Sequence, residues 1–253
     1  MALALARPRT ISLFGWLRIG LRIPAMLLLL LACIPLYYIH RLLRLHNPWP
    51  RVFLGGVAWI AGVAVAYKGE KVHRGAFLLV NHVSWIDIPV LAGATGTAFV
   101  GHDGLASMPL LKTLCEMNDT VFIARHDRTS VAAQAAAVRT ALSDTGALAI
   151  FPEGTTSDGT GLLPFKSSLI AALEPIPEGI AVQPVLLDYG PEAERIAWIG
   201  EEHGLDNFLR ILARSRPVRL TVHFLEPLSG AALENRKTIA AAAREALLRA
   251  LTG

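Results

Sequence analysis

The stretch Ala76-Phe77-Leu78-Leu79-Val80-Asn81-His82-Val83-Ser84-Trp85-Ile86-Asp87 decides the fold. Five apolar residues are followed by a polar turn and then by a second apolar segment that starts at Ile86. A short apolar run bounded by a turn predicts a buried strand, and the segment after it predicts a helix. Ser84 is placed to act as the N-cap of that helix, which leaves His82 on the turn. This strand–turn–helix unit is typical of a parallel α/β sheet.

The pair His82 and Asp87 predicts a general base and its orienting carboxylate. A neutral imidazole can take a proton from an alcohol as that alcohol attacks an acyl carbonyl. A carboxylate on the other ring nitrogen fixes the tautomer and stabilises the imidazolium that forms. A purely structural interpretation also exists, because Ser84-x-x-Asp87 is a short variant of a capping box in which Asp87 only faces the helix N-terminus.

A second strand-and-turn unit follows the apolar run from Ala147 to Ile150. It reads Phe151-Pro152-Glu153-Gly154-Thr155-Thr156-Ser157. Turns of this kind present N–H groups and hydroxyls to anionic or hydroxylated ligands, and ligands collect at the carboxyl ends of parallel strands. The same residue types also form ordinary loops.

The rest of the chain alternates between strand and helix patterns. The expected strands are Val63–Tyr67, Phe77–Val80, Ala98–Val100, Val121–Ala124, Leu148–Phe151, Val182–Leu187 and Arg219–Phe224. The expected helices are Ile86–Leu91, Leu110–Glu116, Ser130–Leu142, Ser168–Leu173, Leu205–Ala213 and Ala231–Leu251. Such alternation predicts an α/β fold with a mostly parallel central sheet flanked by helices on both faces.

The composition indicates a membrane protein. Of the 253 residues 53% are hydrophobic and only 17% are charged, with a mean hydropathy of +0.45, which is too apolar for an ordinary cytosolic domain. The net charge of +4 and the isoelectric point near 9.3 fit a protein that rests on anionic lipid headgroups. No block of basic and aromatic residues is present, so nucleic acid is not an expected partner.

The apolar character is concentrated in residues 1–62, which are predicted to be membrane-associated helices preceding one domain over residues 63–253. The uncharged stretches Ile23–Ile39 and Val52–Tyr67 are each a little short for a hydrocarbon core of roughly 30 Å. Basic residues lie before, between and after them, which favours two shallow, membrane-embedded helices with snorkelling arginines. One spanning helix followed by a core helix is the alternative. Pro24 and Pro35 are expected to end or kink the first helix, and no cleavage site suggests a signal peptide.

The cysteines and the other histidines point to no metal site or disulfide framework. Cys33 and Cys115 are expected to be buried thiols. The histidines His102, His126 and His203 have no metal-like partner spacing and are expected to be structural or on the surface.

Four sequence blocks occur in an order and spacing that resemble the glycerolipid acyltransferase family, whose best-known members are the 1-acylglycerol-3-phosphate acyltransferases. The blocks are Asn81-His82-x4-Asp87, Val121-Phe122-Ile123-Ala124-Arg125, Phe151-Pro152-Glu153-Gly154-Thr155 and Gln183-Pro184-Val185. They cover about the central half of the chain, and the apolar N-terminus is similar to that of the family as well.

The resemblance implies a role for each matching residue. His82 would be the base and Asp87 its orienting group, and Arg125 would bind an acceptor phosphate. Glu153, Gly154 and Thr155 would form the acceptor-binding turn, in which Glu153 accepts from an acceptor hydroxyl or holds Arg125 or Lys166. Lys166 matches a recurrent basic position beside that turn.

Two positions depart from the family pattern. Asp119 stands where the second block usually opens with Gly, and Thr156 stands where the family usually has Arg. A hydroxyl cannot replace the bidentate, charge-assisted contact of a guanidinium with phosphate. The acceptor range is therefore expected to be broader than in members with the Arg.

The resemblance implies an enzyme that transfers a fatty acyl group from acyl-CoA or acyl carrier protein to the hydroxyl of a membrane lysolipid. The acceptor expected first is 1-acyl-sn-glycerol-3-phosphate, and another lysolipid such as lyso-ornithine lipid is the alternative. No bound cofactor is required, and the acyltransferase domain is expected on the cytoplasmic face of the inner membrane.

Two other classes of function stay open at this point. A hydrolase or metalloenzyme could use His82, Asp87 and Glu153, although no Gly-x-Ser-x-Gly motif is present and His-x4-Asp is not a usual zinc spacing. A non-catalytic membrane scaffold is the third possibility, and it would leave the His/Asp pair without a purpose.

Overall fold

The computed structural model of the protein describes residues 11–102, 109–123, 140–142, 145–171, 174 and 176–253. Within this part of the chain all seven predicted strands are present. Their bounds are β1 Val63–Lys68, β2 Ala76–Val80, β3 Ala98–His102, β4 Val121–Ile123, β5 Ala147–Ile150, β6 Ala181–Asp188 and β7 Val218–Phe224. They form one sheet in the order β1-β7-β6-β2-β5-β3-β4.

The sheet is mixed, and its central strands are parallel. Strand β2 pairs in parallel with both β5 and β6, whereas β7 runs antiparallel to β6 and β1 runs parallel to β7. The amino ends of β1 and β7 therefore lie at the same edge as the carboxyl ends of β2, β5 and β6. This edge, named here the catalytic edge, carries the two turns singled out from the sequence.

The central strand β2 is buried on both faces, as a near-continuous apolar run predicts for a covered parallel strand. All five of its residues are inaccessible to solvent. Its side chains alternate between two clusters: Leu78 and Val80 belong to one, and Phe77 and Leu79 belong to the other. The helices thus cover both faces of the sheet, as predicted.

The helices of the described residues agree with most of the predicted ones. Their bounds are α1 Leu13–Leu42, α2 Trp49–Ile60, α3 Asp87–Thr95, α4 Pro109–Met117, α5 Ser167–Ile170, α6 Ala193–Ile196, α7 Gly204–Leu212 and α8 Arg236–Thr252, with 3-10 turns at Gly190–Glu192 and Gly230–Leu233. Most of the helix predicted over residues 130–142 lies outside the described residues.

The last predicted helix, Ala231–Leu251, is divided in two. Its first turn is the 3-10 segment, and α8 begins only after Asn235. The Asn235 side chain accepts from the backbone N–H groups of Lys237 and Thr238, and the Thr238 hydroxyl closes the capping box. A capped N-terminus of this kind ends the preceding turn and starts a new helix.

Helix α1 is longer than the apolar stretch within it. Pro24 and Pro35 lie inside the helix and not at its ends, so the prediction that they could mark its ends is wrong. About 45 Å of helix results at 1.5 Å per residue. In the described part of the chain, α1 is the one helix that is long and apolar enough to cross a membrane by length and composition.

Two arginines of α1 contact the carboxyl end of helix α7. Arg18 donates to the Ala213 carbonyl, and Arg22 donates to the Leu212 carbonyl at the end of α7. Cationic groups are favourable at a helix C-terminus, where backbone carbonyls lack partners. These two side chains therefore dock α1 onto the domain instead of snorkelling, which differs from the prediction for the basic residues before the apolar stretch.

Helices α2 and α3 cross in close contact at two glycines. A Cβ atom built on Gly93 would lie 2.6 Å from the Cα of Gly55, so only glycine allows this approach. Arg51 of α2 donates to the carbonyls of Gly93 and Ala94 near the end of α3. The second N-terminal helix is thereby fixed to the helix that begins with Asp87.

Candidate active site

After β2 the side chain of Asn81 replaces the main chain as the hydrogen-bonding partner of β6. The Asn81 amide donates to the Leu187 carbonyl at 3.1 Å and accepts from the Leu187 N–H at 2.7 Å. Asn81 is buried, so both of its polar atoms need such partners. The main chain is then free to turn at the carboxyl end of β2, and His82 lies at the catalytic edge.

His82 and Asp87 contact each other directly, as predicted from their spacing. The Nδ1 atom of His82 is 2.8 Å from Oδ2 of Asp87. Because a carboxylate accepts there, Nδ1 carries the hydrogen in the neutral ring, and Nε2 is left as the basic nitrogen. The His82 side chain keeps 17% of its surface exposed, whereas the Asp87 side chain has none.

Asp87 is surrounded by donors on both carboxylate oxygens. Besides His82, Oδ2 accepts from the backbone N–H groups of Val83 at 2.6 Å and Ser84 at 3.0 Å. Oδ1 accepts from the hydroxyl of Tyr189. A buried ionised carboxylate requires this degree of hydrogen bonding, and the contacts fix its orientation toward His82.

Ser84 is not the helix N-cap that the sequence predicts. Helix α3 begins at Asp87, and its N-cap residue Ile86 makes no side-chain cap bond. The Ser84 hydroxyl instead donates to Oδ1 of Asn207 at 3.1 Å. The hydrogen bond from the Ser84 N–H to Asp87 is one half of a capping box. Asp87 therefore stabilises the turn and also contacts the His82 ring.

The His82 ring is also held by an aromatic neighbour. It stacks on Phe151 with the ring centroids 4.2 Å apart and the planes 21° from parallel. Phe151 in turn stacks on Phe99 at 6.0 Å. Stacked rings at such distances stabilise each other, so the imidazole has a defined face as well as a fixed Nδ1 contact.

The turn after β5 carries Glu153, which is nearly fully buried. Its Oε1 accepts from the His82 N–H at 2.9 Å, and its Oε2 accepts from the Leu163 N–H at 2.9 Å. Burial raises the pKa of Glu153, and these backbone hydrogen bonds oppose the shift. Both oxygens of Glu153 hold main chain, and within the described residues neither contacts Lys166.

The other predicted turn residues surround the same point. Gly154 has a φ of +70°, a backbone conformation that favours glycine, and a Cβ atom there would lie 3.1 Å from Nζ of Lys166. Lys166 and Thr155 are exposed, whereas Thr156 is half-buried. Lys166 therefore lies beside Gly154, in the turn whose Glu153 contacts the His82 N–H.

Thr156 faces into the protein. Its hydroxyl donates to the backbone carbonyl of Trp198, and the Trp198 N–H donates to the Val83 carbonyl at 2.9 Å. Ser157 closes the contact between the two turns, because its N–H and its hydroxyl both donate to the His82 carbonyl. Arg125 lies outside the described residues, so its predicted role stays a prediction.

Two residues of the site were missed by the sequence analysis. Tyr189 directly follows β6 at the catalytic edge, and that position is a signal that could have found it. Asn207 lies on α7, fully buried, four residues before the buried Ile211. Its signal in the sequence is a single amide side chain at helical spacing from apolar residues, which indicates a polar group on the buried face of the helix.

Among the residues that the structure describes, no group of three or more His, Cys, Asp or Glu side chains is arranged to hold a metal ion. What the site presents is one oriented imidazole, a buried carboxylate behind it and a hydroxyl-bearing turn with a lysine beside it. Such a set can accept a proton from an alcohol and return it to a leaving group.

Comparisons with known proteins agree with this chemistry. Residues 64–188 match the family model described as Acyltransferase. The chain is 33% identical over 248 residues to the lyso-ornithine lipid O-acyltransferase of Brucella abortus, which covers 90% of this chain and 91% of that protein. It is 33% identical over 131 residues to the 1-acyl-sn-glycerol-3-phosphate acyltransferase of Neisseria gonorrhoeae, which covers 52% of this chain and 51% of that one.

A solved structure shares the fold. The crystal structure of the 1-acyl-sn-glycerophosphate acyltransferase PlsC from Thermotoga maritima superimposes with a TM-score of 0.59 at 20% identity, over 80% of this chain and 77% of that chain. The class defined by fold and site is an acyltransferase with a His-x4-Asp pair. The chain belongs to the glycerolipid acyltransferase family, which includes lyso-ornithine lipid and 1-acyl-sn-glycerol-3-phosphate acyltransferases.

Proposed function

We propose that the protein transfers a fatty acyl group from a thioester, either acyl-CoA or acyl carrier protein, to the free hydroxyl of a membrane lysolipid. The observation that carries this proposal is the 2.8 Å contact between Nδ1 of His82 and Asp87. That contact leaves Nε2 as a base beside a turn built of hydroxyls and N–H groups. Family membership supports acyl transfer over the hydrolase, metalloenzyme and scaffold alternatives.

The reaction divides into two proton transfers on His82. Nε2 takes the proton of the lysolipid hydroxyl while the oxygen attacks the thioester carbonyl, and Asp87 stabilises the imidazolium that forms. The tetrahedral intermediate then expels the thiolate, the new ester bond remains, and His82 returns the proton to the leaving sulfur. The proton lost by the lysolipid hydroxyl is thus the one gained by the thiol, and no further reactant is needed.

The acceptor proposed first is a lyso-ornithine lipid. The relative of that name from Brucella abortus matches along 90% of the chain, whereas the 1-acyl-sn-glycerol-3-phosphate acyltransferase of Neisseria gonorrhoeae matches along 52% of it. Thr156 supports the same choice, because its hydroxyl is bonded to the Trp198 carbonyl and supplies no cation for a phosphate. The headgroup of an ornithine lipid carries an ammonium and a carboxylate and has no phosphate monoester to neutralise.

The second candidate acceptor is 1-acyl-sn-glycerol-3-phosphate. Lys166 lies beside Gly154 and could pair with a phosphate as a point charge. A relative named as an enzyme for this acceptor, from Neisseria gonorrhoeae, is 33% identical over 131 residues. Arg125 would add a second cation if it binds the acceptor as the family pattern implies.

The proposed location is the cytoplasmic face of the inner membrane, where a soluble thioester and a membrane lysolipid can meet. The apolar α1 helix supports membrane contact. Its exposed large side chains include Leu13, Phe14, Trp16, Leu17 and Leu21.

The test is an acyl transfer assay that pairs acyl-CoA and acyl carrier protein donors with each of the two lysolipids. We expect His82→Ala to abolish transfer and Asp87→Asn to lower kcat by several orders of magnitude, with both proteins folded and membrane-bound. His73→Ala is the matched control, because His73 is exposed in the loop before β2 at the opposite edge of the sheet. Near-normal turnover in His82→Ala would falsify the mechanism.

A further inference from the structure

Tyr189 is a buried tyrosine whose hydroxyl meets the candidate catalytic pair. It directly follows β6, and only 3% of its surface is exposed. Its hydroxyl donates to Oδ1 of Asp87 across 102 positions of sequence.

The two oxygens of Asp87 have different environments. Oδ2 receives three N–H donors from one short segment, His82 to Ser84. Oδ1 has the Tyr189 hydroxyl as its donor among the described residues. Without that hydroxyl, one oxygen of a fully buried carboxylate would lose this partner, and an unsatisfied buried charge is unfavourable.

We propose that Tyr189 is a positioning residue for acyl transfer: its hydroxyl satisfies Oδ1 of Asp87 and orients the carboxylate so that Oδ2 can hold the proton-bearing Nδ1 of His82. This inference rests on the proposed function of the His82–Asp87 pair. Tyr189 acts through Asp87 and does not touch the substrate.

The surroundings of Tyr189 support a donor role. Burial raises the pKa of Tyr189 well above its ordinary value, and the charge of Asp87 adds to this. The phenol therefore keeps its proton throughout the working pH range and is not itself an acid or base in the reaction. It is a fixed hydrogen-bond donor.

The titratable groups that face this contact come from three sides. His82 and Glu153 face Asp87 from the two turns. Asp188 is next to Tyr189 in sequence, but its Oδ1 accepts from the Gly190 N–H and its Oδ2 lies 3.6 Å from Nε2 of His223. Within the described residues, Tyr189 is thus the side-chain donor that stabilises the charge on Oδ1.

The test is the pH dependence of acyl transfer in Tyr189→Phe. Removal of the hydroxyl leaves Oδ1 of Asp87 without this donor, so the negative charge of Asp87 would interact more strongly with the imidazolium of His82. We expect the acidic limb of the kcat/KM profile to move up by about 0.5–1 pH unit. We also expect kcat to fall about tenfold, with the KM for lysolipid unchanged.

Tyr37→Phe is the matched control. Tyr37 is also buried, but it lies on α1, where its hydroxyl contacts Arg41 at 3.5 Å. A purely structural loss would lower the melting temperature without moving the pH limb. In the Asp87→Asn background Tyr189→Phe should have little further effect on kcat, because the group through which it acts has been neutralised.

A wild-type pH profile in Tyr189→Phe, or an undiminished effect in the Asp87→Asn background, would overturn this inference while leaving acyl transfer by His82 intact. If the wild-type protein transferred no acyl group, the proposed function would fail instead. The inference would then still be tested by the pH at which diethyl pyrocarbonate modifies His82, read from the peptide mass. That midpoint should rise by the same amount in Tyr189→Phe, and an equal midpoint would contradict the inference.

A second variant covers the case in which Tyr189→Phe does not fold. The chain has four tyrosines. If the other three are replaced by phenylalanine, 3-fluorotyrosine supplied during expression is incorporated only at position 189. The fluorinated phenol is a stronger donor of nearly the same size. The acidic limb should then move to lower pH, and a limb that stays in place or moves up would overturn the inference.

Discussion

At the scale of single residues, Thr156 is the position from which the proposed choice of acceptor can be tested. Its hydroxyl is used by the Trp198 carbonyl, so the turn lacks the guanidinium expected at this position in the family. We expect Thr156→Arg to raise kcat/KM for 1-acyl-sn-glycerol-3-phosphate relative to lyso-ornithine lipid by roughly tenfold or more, in line with about 1.5–3 kcal/mol for a hydrogen bond to a charged group.

Thr156→Val separates the two consequences of that change. Valine keeps the shape of threonine but loses the bond to Trp198, so it should lower stability slightly and leave the acceptor ratio unchanged. If Thr156→Arg leaves the ratio of the two kcat/KM values as it is in the wild type, then position 156 does not face the headgroup and the inference about acceptor choice is wrong.

At the scale of helices, the glycine crossing ties α2 to the helix that begins with Asp87. Gly93→Ala would place a methyl group 2.6 Å from the Gly55 Cα, and overpacking of this kind costs about 1–3 kcal/mol. We expect a lower melting temperature and a lower kcat, because α3 must move and Asp87 moves with it. Both are measured on the detergent-solubilised protein by thermal unfolding and by the transfer assay.

Gly20→Ala is the control for this prediction. Gly20 lies in α1 with no neighbouring atom within 4 Å of an added Cβ, and alanine is favoured over glycine in a helix interior by up to about 1 kcal/mol. Its melting temperature should stay the same or rise. Equal changes in melting temperature for Gly93→Ala and Gly20→Ala would mean that α2 and α3 can move apart without loss of stability.

A second helix, α7, is joined to the candidate site by a polar network. The Asn207 amide donates to Glu202 and to the Ala197 carbonyl, and its oxygen accepts from Ser84. Arg210 binds both carboxylate oxygens of Glu202. Burial acts to raise the pKa of Glu202, but the hydrogen bonds from Arg210 and Asn207 outweigh it, so that the pKa lies below its ordinary value.

This pKa gives a prediction with a definite sign. A carboxyl group whose folded pKa is lowered stabilises the fold above its unfolded value, near 4.5, and loses that contribution as the pH falls through the folded value. Glu202→Gln should therefore lower the melting temperature at pH 7 by about 2–4 °C, with a difference that shrinks below pH 4.5. Glu245→Gln, which breaks an exposed pair with Arg249, should change little. A Glu202→Gln difference that is constant with pH would rule out this account.

The strands and the His82–Asp87 contact could be predicted because they depend on local sequence. The apolar runs are short and bounded by turn residues, and Asp87 is only five positions from His82. The positions of Tyr189 and Asn207 carry local signals, but their partners lie 102 and 123 positions away, and no local pattern encodes those contacts. The reversed direction of β1 and β7 was missed for the same reason, since it is set by how distant segments pair. Ser84 was assigned as an N-cap because serine is common there, and its buried partner on α7 could not be foreseen.

At the scale of the whole molecule, α1 is predicted to be the membrane-binding element. A truncation that removes residues 1–46 leaves α2 in place on α3. We expect part of this protein to be extracted without detergent, and its kcat/KM to fall for long-chain lysolipids but much less for short-chain ones, because burial of each methylene contributes about 0.8 kcal/mol. Carbonate extraction and the transfer assay measure the two effects. A truncated protein that stays wholly in the membrane and acylates long-chain lysolipid at the original rate would contradict this role.

The reversed pair β1 and β7 has a kinetic consequence. Because β1 starts at the catalytic edge, the chain leaves α2 at Gly62 on the same side of the domain as His82. On the proposed function, a lysolipid that remains in the bilayer would reach the imidazole by lateral diffusion. It would avoid desorption into water, which costs on the order of 10 kcal/mol for a long acyl chain. For an enzyme built in this way, the relevant substrate concentration is the mole fraction of lysolipid in the membrane surface. Dilution with inert phospholipid should slow turnover even when the bulk lysolipid concentration is unchanged.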